Sequence, residues 1–301
     1  MSLSFENLLS NYSASFEKKL QAAAKEFNCH PTLKEACGYA LLNGGKRLRP
    51  AFVLMIANAI GKGFDASEAA LAIEYFHTAS LVADDLPCMD NDNLRRNKPT
   101  VHTVYGEATA LLVSYALIAA GYECLAKNAR LISKANSDLL SYSQQACLLA
   151  LENASHNTGI AGATGGQFLD LYPPNLQEAT LREIIKAKTG ALFETAFVLG
   201  WLFGGGAISE LEHVKRAAQH FGMAFQIADD LGDIEQDRLN QRAVNMAAVI
   251  GKEAAERMFH EELEGFIKIL FALPMKEEEL LLLSEELKKK VGVISASDIL
   301  Q

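Results

Sequence analysis

Two aspartate-rich segments carry the residue types from which chemistry can be read. Asp84-Asp85-Leu86-Pro87-Cys88-Met89-Asp90 is followed closely by Arg95 and Arg96, and Asp229-Asp230-Leu231-Gly232-Asp233 stands far downstream. Each follows an apolar, helix-like stretch, from Leu71 to Ala83 and from Ala217 to Ala228. Carboxylates in such surroundings are costly unless something neutralises them. With no Cys or His at ligand spacing, the donors are hard oxygens, the set that suits Mg²⁺. Two such clusters facing each other predict a clamp on one polyanion through bridging metal ions. The adjacent arginines would take the anion's remaining oxygens. A further basic run, Lys46-Arg47-Leu48-Arg49, follows Gly44-Gly45. One cluster alone reads equally well as a solvated helix end; the two together with these cations do not.

Spacing refines the picture. On a helix Asp229 and Asp233 stand four apart and share a face, while Asp230 turns away. Pro87 stops a regular helix, so Asp90 is expected to curl back toward Asp84.

The elements that position these residues are helices. Proline occurs only at 31, 50, 87, 99, 173, 174 and 274, and the long stretches between are rich in Ala, Leu, Glu and Lys. Apolar residues recur at helical spacing, as in Leu8, Tyr12, Phe16 and Leu20. No alternating β-branched run bounded by turn signals stands out. Asn43-Gly44-Gly45 should end one helix, Pro50 should open the next, and Tyr172-Pro173-Pro174-Asn175 should break the middle of the chain. No linker, low-complexity segment or repeat divides the sequence. The expectation is an all-α fold, a single large helical bundle over residues 1–301 with a central cavity and about ten to thirteen helices. A bundle builds its site from side chains on facing helices. The helices ending at Asp85 and Asp233 are the natural pair.

Composition bounds the function. Of 301 residues half are hydrophobic and 22% charged, a globular balance. The net charge of −9 argues against nucleic acid as a partner. It does not exclude an anionic substrate, because the basic residues are grouped and a metal reverses the local sign. Five cysteines at 29, 37, 88, 124 and 147 form no C-x-x-C pair, which disfavours a disulfide framework or zinc site and favours a reducing cytoplasm. Met1 to Glu6 lacks the basic start and apolar core of a signal peptide. The apolar run from Ala191 to Ile208 is broken by Glu194 and several glycines, so no membrane span is expected.

Five segments in one order resemble the trans-prenyl (polyprenyl) diphosphate synthases. They are Gly44-Gly45-Lys46-Arg47-Leu48-Arg49-Pro50; the first aspartate cluster running on through Arg95-Arg96-Asn97-Lys98-Pro99-Thr100-Val101-His102; Gly165-Gly166-Gln167-Phe168-Leu169-Asp170-Leu171; Lys188-Thr189-Gly190-Ala191-Leu192-Phe193; and Phe225-Gln226-Ile227-Ala228-Asp229-Asp230. The Pro87-Cys88 insertion in the first cluster is similar to the short-chain farnesyl and geranylgeranyl types. The resemblance implies head-to-tail condensation of isopentenyl diphosphate with an allylic diphosphate, dependent on two or three Mg²⁺ ions, in a cytoplasmic homodimer. It assigns Asp84, Asp90 and Asp229 to metal, with Asp85 and Asp233 supporting. Arg95 and Lys188 would hold the allylic diphosphate. Lys46, Arg49, His77 and Arg96 would hold isopentenyl diphosphate. Thr189 and Gln226 would present oxygens to a carbocation, and Gln167 and Asp170 would form a supporting layer. Taken singly, His77 suits a satisfied core histidine, Gln226 a buried amide and Lys188 a surface charge.

Three departures stand against the family pattern. The segment from Ile234 to Asn245 is short, and the usual lysine is replaced near Arg242-Ala243. Gly-Asp-Ala-Leu after the first site reads Ser114-Tyr115-Ala116-Leu117, and Ala83 stands where histidine is common before Asp84. A terpene cyclase and a non-catalytic regulatory subunit of a synthase are the alternatives. The first lacks the Gly-Gly-Lys-Arg segment, and the second tends to lose an aspartate cluster. Small residues at Ala79 and Ser80, with Phe76 one turn earlier, predict a mainly twenty-carbon product, fifteen carbons being the alternative.

Overall fold

Helix-forming composition becomes helix almost throughout. The computed structural model describes residues 4–239 and 244–298, and the side chains of all these except 236–239 and 293–298. Its helices are α1 (Phe5–Glu26), α2 (Pro31–Leu41), α3 (Leu48–Ile60), α4 (Ser67–Asp84), α5 (Val101–Tyr105), α6 (Glu107–Ala135), α7 (Leu140–Thr158), α8 (Ala163–Leu171), α9 (Glu178–Ile185), α10 (Ala191–Phe203), α11 (Leu211–Leu239), α12 (Met246–Ile250), α13 (Lys252–Leu270) and α14 (Glu278–Asp298). A single π turn, Lys186–Gly190, joins α9 to α10. Among the described residues the only strands are β1 (Leu94–Arg95) and β2 (Lys98–Pro99), paired antiparallel. Arg96 and Asn97 turn between them with φ of 54° and 62°, the left-handed pair that a two-residue hairpin needs. The all-α expectation therefore holds. The helix count exceeds it because α5 and α12 are five residues each, too short for periodicity to reveal. Pro50 does not open its helix; α3 starts at Leu48, and proline is tolerated in a first turn whose N–H groups lack intrahelical partners.

The chain divides into two compact units. One comprises residues 6–155 and 199–206. Within it α4 lies along α6, and Gly121 of α6 receives the Phe76 ring, 2.5 Å from where a Cβ would stand. Gly200 and Gly204 let the end of α10 meet α3 backbone to backbone: added Cβ atoms would fall 2.8 Å from the Val53 carbonyl oxygen and 2.6 Å from Ala57 Cα. The other unit is built from residues 156–198 and those from 207 on. Its core is aromatic. Phe193 and Phe221 lie 5.1 Å apart and Phe221 and Phe266 5.3 Å, all three fully buried. Each such ring contributes on the order of 2 kcal/mol by leaving water.

The run from Ala191 to Ile208 is largely α10, whose side chains are buried from Leu192 to Phe203. Among the described residues one helix, α6, is long and apolar enough to cross a membrane. Leu111, Leu112 and Tyr115 of α6 are exposed. All five cysteines are free thiols.

Candidate active site

The first cluster begins where α4 stops. The chain turns at Asp85, and the Asp90 N–H donates to the Asp84 carbonyl at 2.9 Å, so Asp90 folds back on Asp84 as its proline spacing predicts. Both aspartates are half-buried, and Pro87, Cys88 and Met89 between them are exposed. Asp85 faces inward and is buried. Its Oδ1 accepts from Arg95 Nε at 2.7 Å and Nη2 at 2.5 Å, and Arg95 also reaches Asp92 at 3.4 Å. Burial pushes the Asp85 carboxyl up, and the Arg95 guanidinium pulls against it.

The β1–β2 hairpin sends its two arginines to different partners. Arg95 goes to Asp85, while Arg96 Nη1 donates to the Gly44 carbonyl. The Arg96 guanidinium lies 2.4–2.7 Å from where a Cβ on Gly45 would stand, and Gly45 has φ of 123°. Only glycine serves there. Arg47, two residues on, is the inward member of the basic run. It has φ of 51° and is 4% exposed. It donates to Glu74 at 2.5 Å, to Glu17 at 3.0 Å and to the Leu41 carbonyl at 2.7 Å. That leaves Lys46, exposed, and Arg49, half-buried, as the outward cations of the loop. Arg49 Nη1 lies 3.4 Å from His77 Nε2. Burial, then the nearby Arg49 and Arg96, hold His77 well below the ordinary imidazole range, so it is neutral near pH 7. Arg49, His77 and Arg96 thus gather beside one loop. Asp85, Arg95 and Arg96 line a small cavity of about 30 Å³.

The second unit carries the remaining residues. Gly166 lets α8 lie on the π turn, since a Cβ there would fall 2.4 Å from the Lys188 backbone nitrogen. The Lys188 ammonium pairs with Asp170 of α8, and Gln167 is buried on the same helix. Thr189 Oγ1 donates to Gln226 Oε1 at 2.8 Å, and Gln226 Nε2 donates to Asp230 Oδ1 at 2.8 Å. Asp230 is buried, and its Oδ2 accepts the Met246 N–H at 2.8 Å. Asn245 Nδ2 donates to the Asp230 carbonyl at 3.0 Å. Asp230 turns away from Asp229, as the helical spacing requires. Asp229 is half-buried and paired with Lys290 of α14; Asp233 is exposed.

A polyprenyl synthetase family model matches residues 30–245. The chain belongs to that family. Among curated relatives, the chain is 39% identical over 210 residues to geranylgeranyl pyrophosphate synthase 3, chloroplastic, of Arabidopsis thaliana. That match covers 67% of this chain and 56% of the relative. It is 35% identical over 242 residues to the farnesyl diphosphate synthase of Bacillus subtilis (strain 168), covering 78% of each. Among solved structures, a geranyltransferase from Legionella pneumophila superposes with a TM-score of 0.80 at 27% identity, covering 95% of this chain and 97% of that one. The family model runs through residues of both compact units.

The aspartate carboxylates of each unit have the donor chemistry of a hard divalent cation. Among the described residues no three carboxylates, imidazoles or thiols close into a cage of their own. Mg²⁺ does not need one, because it is held by one or two carboxylates together with substrate phosphates. Asp84 and Asp90 in one unit, and Asp229 in the other, are each carboxylates at half-exposed positions, which suits that mode.

Sequence reasoning missed three groups. Arg47 with Glu74 fixes the glycine loop from within, and Glu74 in an otherwise apolar stretch of α4 was the available signal. Asp230 ties down Asn245 and Met246, which spacing marked only as turned away. Lys290 on Asp229 had no sequence signal, being sixty-one residues distant. The Ser114 hydroxyl donates to the Ala79 carbonyl at 2.9 Å, so this departure from the family pattern joins α6 to α4. Arg242 and Ala243 lie outside the described residues.

Proposed function

We propose that this chain is a short-chain prenyl diphosphate synthase that condenses isopentenyl diphosphate with an allylic diphosphate. The observation that carries the reading is the first cluster. Two half-exposed aspartates, Asp84 and Asp90, are joined through their backbones next to a buried Asp85 that is paired with the half-buried Arg95, beside a separate cationic loop. Asp84, Asp90 and Asp229 would hold Mg²⁺, which when bound supplies Lewis-acid stabilisation of the departing diphosphate. The Arg95 guanidinium, held by Asp85, and the Lys188 ammonium, held by Asp170, are oriented cations for the allylic diphosphate. Lys46, Arg49, His77 and Arg96 serve isopentenyl diphosphate. A neutral His77 adds a hydrogen bond without further crowding of positive charge. The allylic C–O bond breaks as pyrophosphate leaves, and the alkene of isopentenyl diphosphate attacks the resulting cation. A proton then passes to pyrophosphate. Thr189 and Gln226, bonded to each other and backed by Asp230, hold their oxygens in place for that cation.

We place the limit on product length on α4. Ala79 is fully buried and small, and Phe76 one turn earlier is fixed by Gly121 and by Tyr122 at 5.1 Å. A small residue followed by a fixed ring supports a mainly twenty-carbon product. The exposed Leu111, Leu112 and Tyr115 of α6 support a homodimer. The test is turnover by the purified protein with Mg²⁺, isopentenyl diphosphate and dimethylallyl diphosphate, followed by chromatography of the dephosphorylated products. The expected result is a linear twenty-carbon alcohol. A cyclic hydrocarbon would make the chain a cyclase. Turnover that appears only with a second synthase subunit would make it a regulatory partner.

A further inference from the structure

The π turn has two faces. Lys188 meets α8, whereas Lys186 and Gly190, four apart, border a cavity of about 180 Å³. Arg216 and His220 of α11 and Glu262 of α13 complete its wall. The charges around it are unevenly matched. Both oxygens of Glu262 are engaged within the protein, one by Arg182 Nη1 at 3.2 Å and the other by His220 Nδ1 at 2.7 Å. Gln219 donates to Glu194 at 3.0 Å. Among the described residues, Lys186 and Arg216 make no ion pair or side-chain hydrogen bond, and both are exposed. The cavity therefore presents two cations whose charge the protein does not offset. Its shape is built rather than incidental. Gly265 of α13 admits the His220 ring, which lies 2.8 Å from where a Cβ would stand. Gly222 meets Gly190 backbone to backbone, 2.9 Å from its own would-be Cβ.

Size selects among anions. Drug-sized ligands occupy roughly 300–1,000 Å³, so about 180 Å³ admits a headgroup and not a long prenyl chain. We propose that this cavity is a second anion site, separate from the diphosphate sites of the proposed reaction, taking a phosphate- or diphosphate-class group between Lys186 and Arg216. Cations with several donors match phosphate oxygens. Because Gly190 borders the cavity, an anion here braces the same turn that carries Lys188 and Thr189. If the proposed reaction holds, the released pyrophosphate is one source of ligand and inorganic phosphate another.

Hydrogen–deuterium exchange on the full chain in excess EDTA tests the site, with pyrophosphate and inorganic phosphate as separate arms. Removing metal keeps the aspartate clusters from retaining either anion. The expected result is protection of peptides covering 182–190 and 213–223, and the arm that saturates at lower concentration identifies the source. In Lys186→Glu/Arg216→Glu, and in the neutral Lys186→Gln/Arg216→Gln, half-protection should need roughly tenfold more anion per cation removed. Protection confined to the 44–49 loop, or unchanged in both double variants, would overturn the site. Turnover of the same variants keeps the two readings apart. Unmoved protection in an active enzyme removes this site and leaves the synthase reading intact.

Discussion

The two aspartate clusters divide their leading pair in the same way but neutralise the inner member differently. Asp84 and Asp229 stay half-exposed, while Asp85 and Asp230 turn inward and are buried. Asp85 rests on a guanidinium, Arg95, which belongs to a hairpin. Asp230 rests on neutral donors, the Gln226 amide and the Met246 N–H. A salt bridge offsets charge but leaves a stranded cation if its anion is removed. Amide donors bind a carboxylate more weakly and tolerate its loss better. A spacing that reads as a row of metal ligands thus contains two kinds of residue, half-exposed outer carboxylates and buried inner struts. The struts differ in how much of the molecule each supports.

The largest expected effect falls on the outer pair. Asp84→Ala and Asp229→Ala should each lower kcat by about a thousandfold or more with the fold retained, since one oxyanion-stabilising contact alone is worth roughly a hundredfold to a thousandfold. Steady-state kinetics with circular dichroism checks this, and activity within threefold of wild type for either variant ends the parallel between the clusters.

Product length should be governed by the first cluster's helix alone. Ala79→Tyr should shorten the main product by one five-carbon unit and Phe76→Ala should lengthen it. Chromatography of the dephosphorylated products reads the shift. If neither substitution moves the distribution, the limit lies off α4.

The inner pair separates by stability. Asp85→Asn strands part of the Arg95 charge and should cost on the order of 2 kcal/mol, allowing for the partial exposure of Arg95. Asp230→Asn keeps one acceptor and should cost about 1 kcal/mol. Urea denaturation of both variants orders them; a larger loss for Asp230→Asn would reverse the comparison.

The smallest effect is in pH dependence. The folded protein holds His77 below the ordinary imidazole range, so the unfolded chain binds a proton that the folded chain refuses. The stability involved is complete above that range and is lost as pH falls through it. His77→Gln removes this linkage. Between about pH 7 and pH 5 wild type should lose stability faster than His77→Gln in thermal melts, and parallel curves would show that His77 is not held neutral.

Much of this was legible in the sequence because it rests on short-range spacing. The return of Asp90 to Asp84 follows from a proline within seven residues, and the turn of Asp230 away from Asp229 and Asp233 from helical geometry. The family resemblance singled out Lys188 and, separately, Asp170; the ion pair that joins them between α8 and the π turn was not foreseen. What was not legible depends on chain distant in sequence or on backbone geometry that composition does not encode. Nothing local distinguishes Arg47 from Lys46 or Arg49. It is Glu74, a helix away, that draws Arg47 inward and leaves the others out. Lys290 is one of three consecutive lysines, and only the packing of α14 selects it for Asp229. The expected start of α3 at Pro50 failed because proline fits anywhere in a first turn, so it marks a helix beginning only to within a few residues.

The π turn at Lys186–Gly190 is what remains when a helix absorbs one surplus residue. Excising that residue would let α9 and α10 run on in a single phase, but every side chain downstream would rotate by about 100° relative to those upstream. The Thr189–Gln226 bond and the Gly190–Gly222 contact are both set by the present phase, as is the burial of α10. A one-residue deletion here, which leaves composition and helix propensity almost unchanged, would therefore act as a frameshift in three dimensions. Tolerance to insertions and deletions should fall to its minimum at these five positions.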